Sequence, residues 1–309
     1  MSYSFKIAWR YFFSKSQQTV INRINAFAFI MVGMGLKVAI FPLHLWLPNA
    51  YTYAPSAITS FLAATATKVA IYVMLRFLFS VFQPGFLAEV PTLDLILYPF
   101  AILAMFAASY TAILQRDLKR MLAYSSIGQV GYMLLGIALL SEGGLMATMI
   151  HLFNHGITKA ALFMGVGVYV LNGGGSFYHN LRGRGKTMPW TSAAMVVAGL
   201  SLIGVPGTAG FLSKWLLVEA TLEQGLWPIA LLIVASSLLA VIYVWKLIET
   251  LYLAQPAEGL QDQNVPLMMM IPLWVMALAC IYFGFDTDIT LSAARSAAEG
   301  LLAGSAGMR

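Results

Sequence analysis

Apolar residues run through this chain in uninterrupted stretches of about 20, long enough at ~1.5 Å per residue to cross ~30 Å of hydrocarbon as a helix. They do not alternate with the period of two that marks a membrane barrel strand. The pattern predicts eight helical spans, near residues 24–46, 56–82, 92–114, 119–140, 144–171, 190–222, 227–253 and 266–286. The sixth is too long for one plain helix and contains Gly204-Val205-Pro206-Gly207. Pro206 removes an amide donor and clashes with the preceding turn, so a break is expected there. The first span carries a similar break at Pro42. Unwound backbone inside a bilayer is tolerated only where it lines a cavity or is buried in protein. Paired broken helices also point to the transport site in inverted-repeat transporters. The plainer alternative for each is a simple proline kink.

Two loops, 115–120 (QRDLKR) and 172–189 (with Arg182, Arg184 and Lys186), hold most of the basic charge outside the spans. Two spans separate them, so they share one side, which the positive-inside rule makes cytoplasmic. Counting back, residue 24 starts on the outer side, yet Lys6, Arg10, Lys15 and Arg23 precede it. Residues 1–23 are therefore expected to be a basic, aromatic interfacial segment, or a start that is not the natural one, with further spans upstream. Residues 287–309 read as a C-terminal tail. Trp46, Trp190 and Trp227, near span ends, read as interface anchors.

Composition narrows the class. Of 309 residues, 60% are apolar and 10% charged, against roughly 25% charged in a soluble domain. Too few polar side chains remain to cover a globule, so the bilayer is the solvent and the fold is an all-α membrane protein. The net charge of +6 is spread over short loops and span interiors, not gathered into the surface patch that would bind nucleic acid. Cys280 is the single cysteine and cannot form an internal disulfide.

Six titratable groups fall inside the spans: Lys37, Lys68, His151, His155, Lys159 and Lys214. A lysine at the bilayer centre costs ~2.5–3.5 kcal/mol on insertion scales, and such groups face the bundle interior and suggest function by default. A lysine held out of water can exchange its proton near neutral pH, which a proton relay needs. His151, His155 and Lys159 stand at i, i+4 and i+8 on one stripe of the fifth span, flanked by Asn154 and Thr158. Thr65, Lys68 and Tyr72 share a face of the second span, while Lys37 precedes the Pro42 break and Lys214 follows the Pro206 break. Taken singly, each has a structural reading: a lysine snorkelling to the headgroups, or a histidine bonded to a carbonyl. Lys246, at i, i+3 from Glu249 near a span end, is read structurally. Basic groups central to four spans favour a relay.

Other chemistry fits poorly. His-Leu-Phe-Asn-His has the histidine spacing of a zinc helix, but Leu152 stands where the catalytic glutamate belongs. Gly185-Lys186-Thr187 ends like a phosphate loop, but Asn180 replaces its first glycine. There is no Ser-His-Asp pattern and no paired carboxylate. Neither metal nor cofactor is expected, and no catalytic site in this chain itself.

The stretches LKVAIFPLHLWLPNAYTYAPSAITSFLAATATKVAIYVMLRF, QRDLKRMLAYSSIGQVGYM, HLFNHGITKAALF and GVPGTAGFLSKWLL resemble, in order, the antiporter-like subunits shared by respiratory complex I and the Mrp-type multi-subunit sodium/proton antiporters. Within that family, TATKVAIYVMLRF looks more like the D-type member of the Mrp antiporters. The resemblance covers residues 24 to 255 and implies roles: Lys37 as the central channel lysine, Lys68 on the connecting path, His155 and Lys159 on the eleventh family helix, and Lys214 at a half-channel. Family members have about fourteen helices in two inverted five-helix repeats. Residues 24–82 then match the end of the first repeat, 92–253 the second repeat and 266–286 the final helix. Within the 24–286 membrane domain, the family's fifth-helix glutamate, which pairs with the Lys37 equivalent, has no counterpart. The expected function is proton translocation exchanged for sodium ions in a hetero-oligomer of hydrophobic subunits, in a bacterial plasma membrane. The alternative is a proton-pumping membrane subunit of NADH:quinone oxidoreductase, or complex I. A reading of another class is a structural fragment that conducts nothing.

Overall fold

A computed structural model describes residues 18–82, 92–173, 175–255 and 265–303. The described residues are helical, with one isolated bridge between Asp117 and Phe177 in place of any strand. The helices are α1 Gln18–Val38, α2 Trp46–Tyr53, α3 Ser56–Arg76, α4 Thr92–Leu103, α5 Ser109–Leu114, α6 Leu118–Ala138, α7 Glu142–Leu171, α8 Tyr178–Leu181, α9 Arg184–Thr187, α10 Pro189–Ile203, α11 Ala209–Glu223, α12 Trp227–Ile248, α13 Leu267–Phe285 and α14 Asp288–Ala303. Three π-helical stretches, Phe77–Phe82, Ala104–Ala108 and Glu249–Leu253, continue α3, join α4 to α5 and continue α12. Five helical stretches among the described residues are long and apolar enough to cross a membrane: Ser56–Phe82, Ile96–Leu114, Leu118–Ala138, Trp227–Leu253 and Leu267–Phe285.

The bundle is built around α6 and α7. Most of α6 is buried, and α7 packs against α3, α6, α10, α11, α13 and α14. Both start on side-chain caps, Asp117 accepting from the Arg120 amide at 2.9 Å and Ser141 from the Gly144 amide at 3.2 Å. Small residues let α3 lie close on α7, with a Cβ placed at Gly156 falling 3.3 Å from the Ala64 carbonyl oxygen. Close approach through small side chains is the usual means of helix association in lipid, where apolar burial offers little drive.

Both expected breaks are present. The first span comes apart into α1 and α2, with Ala39 at φ 62° and a cis Phe41–Pro42 peptide between them. The Trp46 indole donates to the Leu36 carbonyl at 2.7 Å across the break. Trp46 thus ties α2 to the end of α1 as well as lying exposed. In the sixth span, α10 ends on Gly204 in the left-handed region at φ 91°, a conformation glycine adopts without a Cβ penalty. α11 restarts at Ala209, and Gly210 lies so close to the Ser201 carbonyl that a Cβ there meets backbone.

Loops 115–120 and 172–189 meet at one end, as the charge pattern requires. The Leu118 amide donates to the Ser176 carbonyl at 2.7 Å and the Tyr178 amide to the Arg116 carbonyl at 3.0 Å. Asp117 also accepts from the Ser176 hydroxyl.

The chain ends differ from expectation. Of segment 1–23, residues 1–17 lie outside the described residues and the rest begin α1. The expected tail 287–309 instead contains α14, packed on α7 and on Phe77–Phe82. Its buried residues Ala294, Ala298 and Leu301 stand at i, i+4 and i+7, one helical face that a reading tuned to continuous apolar runs passes over.

Candidate functional site

Five of the six intramembrane groups come together. Lys68, His151, His155, Lys159 and Lys214 are between 0% and 6% exposed and reach the interior from α3, α7 and α11. The imidazoles of His151 and His155 stack along α7 with ring centroids 6.1 Å apart. Lys68 lines one groove with Leu152, Gly156 and Ala160 of α7, and at the other end the Tyr132 ring lies 5.7 Å from the His151 ring and 4.9 Å from Lys214 Nζ. The row therefore runs along α7 from Lys159 through His155 and His151 to Lys214, with Lys68 facing it from α3.

Each lysine is held by oxygen acceptors. Lys68 Nζ donates to the Ala63 carbonyl of its own helix. Lys159 Nζ donates to the Leu122 carbonyl at 2.7 Å and to Ser125 Oγ at 2.5 Å, both on α6. Lys214 Nζ donates to the Ile203 carbonyl at 2.7 Å and the Leu202 carbonyl at 3.2 Å. Those two carbonyls belong to the last turn of α10, where the break leaves no helical amide to bond them. The Pro206 break thus supplies the acceptors for Lys214, and the negative end of the α10 dipole faces a cation. Among the described residues the one ion pair is Arg295 with Glu142, 4.0 Å apart and exposed. No carboxylate neutralises the buried lysines there.

The flanking polar residues bind the broken helix. Asn154 donates to the Ala209 carbonyl at 2.6 Å, Thr158 shares a hydrogen bond with Ser201 at 3.0 Å, and His151 Nδ1 lies 2.8 Å from Ser213 Oγ. A cavity of about 10 Å³ lies between α6, α7, α10 and α11, lined by Gln129, His151, Asn154, His155, Thr158, Ser201, Leu202 and Gly210. That is room for about one water molecule. His151 Nε2, Asn154 Oδ1 and both ring nitrogens of His155 are buried without a hydrogen-bond partner. On its other flank, Lys68 borders an apolar groove of about 1040 Å³ between α3, α7 and α13.

Some expected positions fall elsewhere. Lys37 sits in the last turn of α1 and is exposed, away from the row. Together with Leu36 it lies on the outer side of α1, while Val38, the next residue round the helix, is buried. Thr65 lines the same groove as Lys68 while bonding the Phe61 carbonyl at 2.8 Å, whereas Tyr72 is half exposed and outside that lining. Lys246 donates to the Ile113 and Gln115 carbonyls, at 2.9 and 2.8 Å, rather than pairing with Glu249. No cluster of three metal-ligating side chains occurs among the described residues. Sequence reasoning did not single out Tyr132, Ser125 or the buried His44; Tyr132 and Ser125 lie in the resembling stretch 115–133, but they show their bearing only by whom they touch.

A helical membrane bundle whose broken helices pack around buried lysines and histidines defines the antiporter-like class of membrane proteins. The chain belongs to the family described as NADH:quinone oxidoreductase/Mrp antiporter, transmembrane, whose profile matches residues 3–240. It is 38% identical over 282 residues to NADH-quinone oxidoreductase subunit N of Desulforudis audaxviator, covering 87% of this chain and 56% of that protein. Its fold is similar to a chain of the membrane-bound sulfane sulfur reductase, an archaeal respiratory membrane complex, with TM-score 0.79, 32% identity and coverage of 89% and 55%. A chain of the Mrp complex from Dietzia sp. DQ12-45-1b has TM-score 0.81 at 24% identity, with coverage of 89% and 59%, which shows a shared fold. The chain spans about half the length of the curated relatives it matches. These likenesses favour the oxidoreductase branch over the D-type Mrp member, the reverse of the preference drawn from TATKVAIYVMLRF.

Proposed function

We propose that this chain is a proton-translocating, antiporter-like membrane subunit of a respiratory oxidoreductase of the NADH:quinone oxidoreductase kind, working in the plasma membrane beside other hydrophobic subunits. The observation that carries the reading is the buried row of Lys68, Lys159, His155, His151 and Lys214. Its charges are not neutralised by any carboxylate among the described residues. A purely structural role leaves such a row unexplained, because burying ionisable groups without an opposite charge costs free energy that apolar side chains would avoid.

The row suits proton transfer by repulsion. Two unit charges at the 6.1 Å spacing of His151 and His155 repel by about 3 kcal/mol at an effective dielectric of ~20. A proton arriving at one member therefore favours departure from the next. Lys214, at the broken helix, ends the row toward one side. Lys37 joins the pathway on resemblance alone, from the exposed face of α1, and residues 24–82 and 92–253 stand for the two repeats on the same ground. The energy for transport is proposed to come from electron transfer in partner subunits. Coupling to sodium is the second reading, favoured by the Mrp-like fold.

The test is Lys214→Ala in the assembled complex, in membrane vesicles, with proton uptake followed by a pH-sensitive dye. Uptake should fall by about 100-fold or more, the size expected for a lost proton-transfer group, with assembly unchanged. Wild-type uptake would remove Lys214 from the path. Co-purification separates the two readings. Flavin and iron–sulfur subunits mark the oxidoreductase, and small hydrophobic antiporter subunits mark the sodium exchanger.

A further inference from the structure

Lys214 and its neighbour on α6 carry an inference that rests on the relay reading and goes beyond it. The ammonium of Lys214 lies 4.9 Å from the centroid of the Tyr132 ring. Its other contacts are the Leu202 and Ile203 carbonyls. The Tyr132 hydroxyl points elsewhere, to Ser236 Oγ at 2.7 Å and Ser237 Oγ at 3.2 Å on α12. Both serines also reach the Ile233 carbonyl at 3.0 Å, which leaves their oxygens open to accept from the phenol. The phenol proton is thereby committed to α12, and what Lys214 meets is the face of the ring. Tyr132 is 3% exposed and Lys214 6%, so the contact is buried.

We propose that Tyr132 is the seat of the protonated Lys214, its ring face holding the ammonium by a cation–π contact while Ser236 and Ser237 lock the ring in place. The chemistry of this choice is physical. A buried carboxylate would pair with the ammonium strongly, and separating the pair would leave an uncompensated charge. A ring face attracts the cation through its quadrupole, carries no net charge and cannot take the proton. Lys214 is thus held where the α10 carbonyls end without being trapped there. The same ring stands 5.7 Å from the His151 ring, so it borders both members of the terminal step. Other titratable groups near this side are Lys68 of α3, His155 of α7 and Tyr243 of α12, and α10 contributes none. Tyr132 is a positioning residue for Lys214; it transfers no proton itself.

The experiment uses the assembled complex in vesicles, with a near-isosteric series at position 132: Tyr132→Phe, then phenylalanines carrying one, two and three ring fluorines, then Tyr132→Leu. Fluorine withdraws the charge of the ring face with little change of shape. Uptake should fall modestly in Tyr132→Phe, which keeps the ring face but loses its tie to Ser236 and Ser237, and decline further, stepwise, along the fluorinated series. The total loss should be about 30-fold, the equivalent of ~2 kcal/mol for a desolvated cation–π contact. Because the fluorinated rings pack like phenylalanine, the series reads out even where Tyr132→Leu does not assemble. A flat series overturns the proposal. So does full loss at Tyr132→Phe, which would make the hydroxyl the acting group. Lys214→Ala runs beside it: wild-type uptake in that variant overturns the relay reading, whereas loss there with a flat series overturns only the role of Tyr132.

Discussion

At the scale of the residue, a buried lysine here is defined by its acceptors. Lys159 is the most enclosed of the row, at 0% exposure, and bonds the Leu122 carbonyl and Ser125 Oγ. Lys159→Met keeps the length of the side chain and removes the charge. Proton uptake in vesicles should then fall by about 100-fold while the complex still assembles, as a native gel would show. Ser125→Ala leaves the ammonium one acceptor short, and loss of a hydrogen bond to a charged group costs about 1.5–3 kcal/mol. The expected result is a complex that melts at lower temperature, with uptake reduced less than in Lys159→Met. Lys246 belongs to another class. It closes the carbonyl end of α5 and lies 4.9 Å over the Tyr178 ring, so Lys246→Ala should lower stability and leave uptake per assembled complex intact.

At the scale of the element, the broken helices decide where the chemistry can sit. α10 ends on Gly204, its last carbonyls turn to Lys214, and α11 begins where Gly210 passes the Ser201 carbonyl. Gly210→Ala forces a methyl group onto that backbone and should destabilise the complex by about 1–3 kcal/mol through overpacking. Thermal unfolding in detergent measures the loss. The same substitution moves the Ile203 and Leu202 carbonyls against Lys214, so uptake should fall even in the fraction that assembles. α14 contributes differently. Its exposed pair, Arg295 with Glu142, is worth at most ~1 kcal/mol, and its hold on the bundle comes from the face bearing Ala294, Ala298 and Leu301.

At the scale of the whole molecule, orientation follows from the two basic loops, joined through Asp117, Ser176 and Tyr178 at one end. Cys280 is buried and is the single cysteine, so a Cys280→Ser background is clean for labelling. Cysteine placed at the exposed positions Arg182 or Lys186 should react with an impermeant maleimide from the cytoplasmic side alone, and cysteine at Glu223 from the opposite side alone. Reversed labelling would invert the direction assigned to the row. The exposed Lys37 belongs to this scale as well. A chain that spans about half the length of its curated relatives is proposed to act only beside other hydrophobic subunits.

The sequence by itself determined the helical class, the two breaks and the residues of the row, because a run of apolar side chains leaves the backbone no partner but itself. Proline, glycine and buried charge leave marks that need no neighbours to read. It also carried the resemblance, though it leaned to the branch that the relatives favour less, in a family whose motifs are shared. Only the tertiary structure decided which of the marked residues meet. Lys37 and Lys68 look alike in sequence, but the first falls on the outer face of α1, while the small-residue seam between α3 and α7 brings the second beside Gly156 and Ala160. Helical spacing places His151, His155 and Lys159 on one stripe, but it cannot say that Ser125 and Tyr132 face it from α6, or that the carbonyls of α10 await Lys214. Those meetings depend on how helices cross, which is set by packing between segments distant in the chain, and that information is not local to any stretch of it.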